Sequence, residues 1–145
     1  MSRLLLLPHW MAIQSYRDLQ AWKLGMDFVV AVYDLTRRFP REERYGLTSQ
    51  LRRAAVGVPS NISEGHQQGD RAYLRYVVIA LGTMAEAETQ FEIAQRLRYV
   101  TPADVAPVAT IAGNLRRVLF GLRRSLRQRL NEPLIPDPWS LVPDP

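Results

Sequence analysis

The amino-acid sequence predicts an all-α protein, an antiparallel up-down four-helix bundle followed by a proline-rich tail. Apolar residues recur at steps of three and four through four long segments, which places them on one face of a helix in each segment. Short polar or proline-containing stretches separate these segments, and short connections make successive helices antiparallel neighbours. The 145 residues include no cysteine, and a chain of this length can bury a single core without disulfides.

The chain divides into an N-terminal extension over residues 1–14, a bundle over residues 15–130 and a tail over residues 131–145. Five of the ten prolines fall in the tail, which predicts an extended or disordered segment. The first residues, MSRLLLLPHWM, are too short for a signal peptide and lack a cleavage site. No run approaches the roughly 20 apolar residues of a membrane span. We therefore expect a cytoplasmic protein without a membrane partner.

The second helix contains the most informative stretch of the chain, QLRRAAVGVPSNISEG over residues 50–65, and is expected from about Thr48 to Gly65. Its apolar stripe consists of Leu47, Leu51, Ala54, Val58 and Ile62. Arg52 and Arg53 project from the flank of this stripe. Pro59 falls inside the pattern and lacks a backbone donor, so a break or kink with a local cost of roughly 3 kcal/mol is expected.

The first helix is expected from about Ser15 or Tyr16 to Arg38 and is apolar on two sides. The stripe assigned to the core consists of Leu19, Trp22, Met26, Val29, Val30 and Tyr33. The second stripe consists of Leu24, Phe28, Ala31 and Leu35. Because every helix of a four-helix bundle has an outer side, we predict that the second stripe is a subunit interface. The alternative is one broad stripe that the N-terminal leucines cover.

The third helix is expected from Asp70, as its N-cap, to about Leu97. Its predicted core face consists of Leu74, Val77, Val78, Leu81, Met84, Ala85 and Phe91. Glu88 falls in the middle of that face, where a carboxylate is costly unless it is paired. The candidate partners are Arg53, Asn61 and Gln95. We interpret Glu88, together with Asn61 and Glu64, as structural polar residues; an acid in a functional cleft is the alternative.

The fourth helix carries the most concentrated positive charge. Thr101 is its predicted N-cap, followed by Pro102, and the helix continues to about Leu130. The core stripe consists of Val108, Ile111, Ala112, Leu115, Leu119, Leu122 and Leu126. Five arginines lie on the opposite, solvent side: Arg116, Arg123 and Arg127 on one strip, with Arg117 and Arg124 beside it. No acidic residue occurs between Asp104 and Glu132, so the helix itself neutralises none of these charges.

No pattern for catalysis, metal binding or cofactor binding is found. The sequence lacks a nucleophile elbow, a phosphate-binding glycine loop, an HExxH motif and the Glu-x-x-His pairs of di-iron bundles. His66, in the expected loop HQQG, has no second histidine, cysteine or acidic cluster at metal-ligand spacing. We therefore expect a protein that is not an enzyme and that needs no metal or cofactor.

The stretch QLRRAAVGVPSNISEG resembles the signature of a family of small four-helix-bundle proteins encoded in intervening sequences of bacterial large-subunit rRNA genes. Further similarity extends through YRDLQAW (16–22), YDLTRRFP (33–40) and ALGTMAEAETQFEIAQRLRYV (80–100). That family is similar to the accessory variability determinants of diversity-generating retroelements. The resemblance implies a homo-oligomer, a pentamer by analogy, that binds RNA and a reverse transcriptase. This chain departs from its relatives at HQQG, where they often have basic residues, and at Leu97-Arg98-Tyr99, where they usually have LGY.

The charge of the chain favours nucleic acid as a partner. The net charge is +5, and only Lys23 among the 19 basic residues is a lysine. Arginine offers a planar fork of donors that suits phosphate, although genomic base composition also favours arginine. We predict a non-enzymatic accessory protein that binds RNA in preference to DNA through Arg52, Arg53 and the five arginines of the fourth helix. The alternative is a homo-oligomeric scaffold that binds another protein through the second stripe of the first helix or through Trp139 in the tail.

Overall fold

The computed structural model describes the backbone of residues 16–130 and the side chains of residues 20–130. Four α-helices follow one another, with one short 3-10 helix over Arg41–Glu43: α1 (Tyr16–Thr36), α2 (Leu47–His66), α3 (Asp70–Arg96) and α4 (Pro102–Arg129). Helices α1 and α3 each pack against both α2 and α4, and within residues 16–130 the backbones of diagonally opposite helices do not come close to one another. The predicted four-helix bundle is confirmed for these residues. The extension over 1–14 and the proline-rich tail over 131–145 lie outside them.

The core lies on the axis of the bundle and takes large side chains from every helix. The largest fully buried ones include Phe28, Leu51, Ile62, Met84, Leu115, Leu119, Leu122 and Leu126. The rings of Phe28 and Phe91 meet edge to face, with their centroids 6.2 Å apart, so α1 and α3 touch through their side chains across the axis. Within the part of the chain that the structure describes, no helix is both long and apolar enough to cross a membrane.

The two apolar stripes of α1 are exchanged relative to the prediction. Phe28 is 0% exposed and Leu35 is 4% exposed, and Leu24 and Ala31 pack half-buried against the same core. The stripe assigned to the core is instead the outer one, since Met26, Val30 and Tyr33 are exposed and Trp22 and Val29 are half-buried; the side chain of Leu19 lies outside the described residues. The predicted interface of Leu24, Phe28, Ala31 and Leu35 is therefore wrong, because these residues fill the core of a single chain.

Helix α2 runs through Pro59 without the expected break and ends one residue beyond the predicted terminus. Pro59 is buried and packs against Gly25 of α1, where an added Cβ would lie 3.1 Å from the Pro59 Cβ. The glycine lets the two helices approach closely at this point. This packing holds α2 together where proline removes one hydrogen bond of the helix.

Helix α3 differs from the prediction at its start and along its core face. Its N-cap is Gly69, at φ 90°, and Asp70 is the first helical residue instead of the cap. Val78 and Ala85 are exposed, although they were predicted to lie in the core. The residues that replace them inside are small or amphipathic and therefore carry a weak apolar signal: Tyr73, Ala80, Ala87, Gln90 and Ala94.

The end of α3 is a Schellman motif centred on Arg98. The amide of Tyr99 donates to the carbonyl of Ala94 at 2.9 Å, and the amide of Arg98 donates to the carbonyl of Gln95 at 2.9 Å. Arg98 has φ 61°, in the left-handed region that favours glycine. The arginine in place of the glycine of LGY therefore leaves the helix stop in place at a conformational cost.

Replacing Arg98 with glycine is expected to stabilise the protein by about 1 kcal/mol. A side chain in the left-handed region costs about 1–2 kcal/mol, and glycine removes this cost. Glycine also raises the conformational entropy of the unfolded chain, which offsets part of the gain. The midpoint of urea denaturation should rise with no change in its slope. Arg96→Gly, in the last turn of α3, is the matched control and should destabilise by about 1 kcal/mol. A lower midpoint for Arg98→Gly would contradict the strain argument.

The predicted start of α4 is confirmed. The hydroxyl of Thr101 accepts a hydrogen bond from the Asp104 amide at 3.1 Å, and the Asp104 carboxylate accepts one from the Thr101 amide at 2.9 Å, which completes a capping box. These hydrogen bonds lower the pKa of Asp104, and the guanidinium of Arg38, 3.1 Å from the carboxylate, adds a smaller effect. The cap fixes the register of the long helix that carries the predicted arginines.

Candidate nucleic-acid interface

The predicted arginines fall into two groups on opposite faces of the bundle. The first group, which we name the α4 arginine face, lies on a helix whose backbone does not come close to that of α2 among the described residues: Arg116, Arg117, Arg123, Arg124 and Arg127. Arg116 reaches Glu88 of α3, so this group borders the α3–α4 side. Arg52 hydrogen-bonds Thr36 of α1, so Arg52 and Arg53 border the α1–α2 side. One short stretch of ligand cannot contact both groups on the same chain.

Glu88 pairs with Arg116, a partner that the sequence did not predict. Glu88 lies at the edge of the α3 core face instead of its centre, with 34% of its side chain and 37% of that of Arg116 exposed. Arg53, Asn61 and Gln95 are therefore not its partners, and the structural role of Glu88 stays a prediction. Because the pair is half in water, we expect it to contribute less than about 1 kcal/mol. It also means that α3 neutralises one charge of the α4 arginine face.

The other arginines of this face are held mainly by local contacts. Arg117 donates a hydrogen bond to the side chain of Asn114. The guanidinium carbon of Arg123 lies 4.7 Å from the centroid of the Phe120 ring, which is partly exposed between the arginines. Arg124 is exposed and Arg127 is half-buried, and neither has a carboxylate partner among the described residues. The face thus combines positive charge with one aromatic ring that the sequence analysis did not include.

The end of the bundle where α4 stops and α3 starts is also basic. Arg129 bridges to Asp70, with the Nε and Oδ2 atoms 3.2 Å apart, and thereby joins the two helix ends. Arg71 and Arg75 are exposed on the first two turns of α3 and line an open cleft of about 530 Å³ together with Gln68. Sequence reasoning missed these two arginines because only the antiparallel packing of α3 and α4 brings them near the end of the α4 arginine face.

A groove between α1 and α2, which we name the α1–α2 groove, holds the second basic group. It has a volume of about 480 Å³ and is lined by Tyr33, Arg44, Tyr45, Thr48, Ser49, Arg52, Arg53 and Val56, with no carboxylate among these residues. The Nε of Arg52 donates to the hydroxyl of Thr36 at 2.8 Å, and its guanidinium carbon lies 4.5 Å from the Tyr33 ring centroid. The guanidinium carbon of Arg44 lies 5.5 Å from the centroid of the Tyr45 ring.

Comparison with known proteins decides the family. The model of a family described as 23S rRNA-intervening sequence protein matches residues 17–121. The chain belongs to this family. Its fold is similar to the crystal structure of a protein of unknown function from the S23 ribosomal protein family of Bacteroides thetaiotaomicron, with a TM-score of 0.68 and 20% identity over 74% of this chain and 98% of that chain. No curated protein matches. The predicted family is confirmed, whereas similarity to the retroelement proteins stays a prediction.

The structural polar residues predicted for this 23S rRNA intervening sequence protein do not form one cluster. The carboxylate of Glu64 accepts a hydrogen bond from the Tyr76 hydroxyl at 3.2 Å on the exposed side of the α2–α3 contact. Asn61 is half-buried on α2, whereas Glu88 pairs with α4, on the far side of α3. Glu64 and Glu88 therefore serve separate local contacts.

The described part of the intervening sequence protein offers no grouping of three or more histidine, cysteine, aspartate or glutamate residues that could hold a metal ion. His66 is the last residue of α2 instead of a loop residue, and its ring meets Tyr73 edge to face with the centroids 5.4 Å apart. The absence of an enzymatic activity remains a prediction. The chemistry that these faces offer is the binding of anions by guanidinium groups and of flat rings by aromatic side chains.

Proposed function

We propose that this protein is a non-enzymatic accessory protein that binds nucleic acid, RNA in preference to DNA, through the α4 arginine face. The observation that supports this most directly is the charge of α4: from Arg116 to Arg129 the helix carries six arginines and no acidic residue. Among the described residues, Arg116 and Arg129 pair with carboxylates of α3, whereas Arg124 and Arg127 have no such partner. Bringing phosphates to this face would release condensed counterions and favour binding.

The geometry of the face favours binding along a phosphate backbone over the reading of bases. Arg123 and Arg127 are about 6 Å apart along the helix axis, and Arg116 precedes Arg123 by about 10 Å. A row of guanidinium groups at such spacing contacts phosphates without selecting a sequence. The family description, which refers to 23S rRNA, supports RNA as the preferred nucleic acid.

The proposal includes self-assembly and a protein partner. The exposed apolar residues Met26 and Val30 on α1 support a homo-oligomer, and the resemblance to accessory variability determinants supports a pentamer that acts with a reverse transcriptase. Assembly would repeat the α4 arginine face and multiply weak phosphate contacts.

The test is the salt dependence of binding to mixed-sequence single-stranded RNA and to duplex DNA. Replacing Arg123, Arg124 and Arg127 together with glutamine should lower the slope of log affinity against log salt by about 2 for RNA and nearly 3 for duplex DNA, if each arginine of one chain engages one phosphate. Glutamine keeps helix propensity, so the fold should persist.

The control removes the same charge elsewhere, with Arg37, Arg41 and Arg96 changed to glutamine. Arg37 and Arg96 pair with acids of their own helices, Asp34 and Glu92, and are mostly exposed. The control should shift the salt slope much less. If the triple variant of α4 bound as the native protein does, with the same slope, the α4 arginine face would be solvated surface only.

The second candidate function is a homo-oligomeric scaffold that binds another protein and no nucleic acid. The observation that favours it is the exposed apolar surface of α1 and α2, where Val30 is 62% exposed and Met26 and Val56 are each more than 40% exposed. A scaffold of this kind would bind RNA and DNA too weakly for a salt slope to be measured, so the same titration separates the two functions.

A further inference from the structure

We propose that the α1–α2 groove binds one unstacked nucleotide of a single-stranded nucleic acid, with its phosphate on Arg52 and Arg53 and its base on the ring of Tyr45. This inference rests on the proposed nucleic-acid function, and it adds a second site on the face opposite the α4 arginine face. It also predicts a preference that the α4 face does not provide, namely for single strands over duplexes.

The phosphate side of the groove is prepared before binding. Arg52 is fixed from two directions, since its Nε donates to Thr36 and its guanidinium stacks on Tyr33. The Thr36 hydroxyl in turn donates to the carbonyl of Val32 at 2.8 Å, so the whole chain of contacts is anchored to α1. The hydrogen bond uses only Nε, and the two Nη groups carry the remaining donors of the fork. A guanidinium ordered in advance loses little freedom when a phosphate binds.

The base side of the groove is an aromatic ring that lies largely in water. Tyr45 is 87% exposed, an unusual state for a large ring, and within the described residues its ring contact is with the guanidinium of Arg44. A ring and a neighbouring arginine plane are the surfaces on which unstacked bases bind without sequence preference. Ser49, which also lines the groove, offers a hydroxyl for a sugar or phosphate oxygen.

The size and charge of the groove select the class of ligand. A volume of about 480 Å³ lies within the range of small-molecule sites and suits a single nucleotide unit, whereas a duplex is too wide to enter. An acidic peptide would satisfy the arginines but would leave the exposed Tyr45 ring without a flat partner. The combination of both features in one concave site therefore favours a nucleotide over a carboxylate side chain.

The experiment measures, by fluorescence anisotropy, the affinity of the full-length protein for a short single-stranded RNA of mixed base composition. The same measurement is made with the duplex that this RNA forms with its complementary strand. Tyr45→Ala should lower the affinity for the single strand about 10-fold and leave the affinity for the duplex unchanged. Tyr45→Trp, which keeps a stacking ring, should retain the native affinity. Arg53→Gln should reduce the salt slope of single-strand binding by about 0.7, since one phosphate contact is lost. Both side chains are exposed, so the fold should tolerate these changes.

Failure of this inference is distinguishable from failure of the proposed function. If Tyr45→Ala bound the single strand as tightly as the native protein while the α4 triple variant lost affinity, the groove would have no role and the proposed function would stand. If Tyr45→Ala lowered the affinity for the single strand and for the duplex equally, the inference would also be overturned, since the groove would then show no preference for single strands. If the native protein bound neither the single-stranded RNA nor its duplex, the proposed function would fail, and the inference about the groove would fail with it. Binding of polyglutamate that depends on Tyr45, without RNA binding, would assign the groove to an acidic protein partner.

Discussion

Phe28→Asp is expected to abolish folding of the bundle, whereas Val30→Asp, two residues away on the same helix, is expected to leave it folded. Phe28 is fully buried against Phe91, and Val30 is 62% exposed. Removing the phenyl ring from the core costs about 3–5 kcal/mol, and burying a carboxylate there adds a further penalty. The sum is comparable with the whole stability of a small domain, so Phe28→Asp should lose its helical circular dichroism.

The pair of variants also tests self-assembly. If the protein is an oligomer that uses the outer stripe of α1, light scattering should show that Val30→Asp has a smaller mass than the native protein and an unchanged helix content. A Phe28→Asp variant that stayed helical and soluble at a smaller mass would instead restore the predicted interface. An oligomer unaffected by Val30→Asp would place the contact on another face.

Periodicity predicts where helices lie better than it predicts which side of a helix faces inward. The stripe and the capping signals of α4 agree, and its start is as predicted. Its predicted core residues are buried except Ile111, which is half-buried against the core, and Val105 is buried in addition. In α1 two stripes are equally apolar, and the side that faces inward depends on contacts with Phe91 and other residues distant in sequence. The break expected at Pro59 is absent because of a contact that is also distant in sequence: Gly25 of α1 supplies the packing that keeps α2 helical.

The candidate sites show a similar limit. The cluster of arginines on α4 is visible in the sequence because it lies within one helix. Its partner Glu88 belongs to α3, so the neutralisation of Arg116 requires the tertiary structure. The α1–α2 groove combines Tyr33 with Arg44 and Arg52, from α1, a connection and α2, and no local pattern joins them. An exposed aromatic residue next to an arginine, as in Arg44-Tyr45, is the one sequence signal that could have indicated it.

Gly65→Ala is the second substitution expected to have a large effect, and it should destabilise the protein by about 2–3 kcal/mol. Gly65 is buried where α2 crosses α3, and an added Cβ would lie 2.6 Å from the Tyr76 Cβ and 3.2 Å from the Tyr73 Cα. The Tyr73 Cα is a backbone atom, and the Tyr76 Cβ is bonded directly to the backbone of its own residue. Relieving the clash would therefore require α3 itself to move. Alanine favours a helix by about 1 kcal/mol over glycine, and this gain is smaller than the cost of the clash.

Gly82→Ala is the matched control, because it makes the same change in the middle of α3 where a Cβ would meet no atom within 4 Å. It should stabilise the protein by about 1 kcal/mol, so the two variants should shift the midpoint of urea denaturation in opposite directions. Stabilisation by both would show that α2 and α3 can separate at no cost.

Destabilisation by Gly65→Ala alone would mean that the Glu64-Gly65 pair of the family motif serves the fold. The glycine sets the distance between the helices, and the Glu64 carboxylate accepts a hydrogen bond from the Tyr76 hydroxyl beside it. On that result, binding would have to be sought at the arginine-rich faces on either side of the α2–α3 contact.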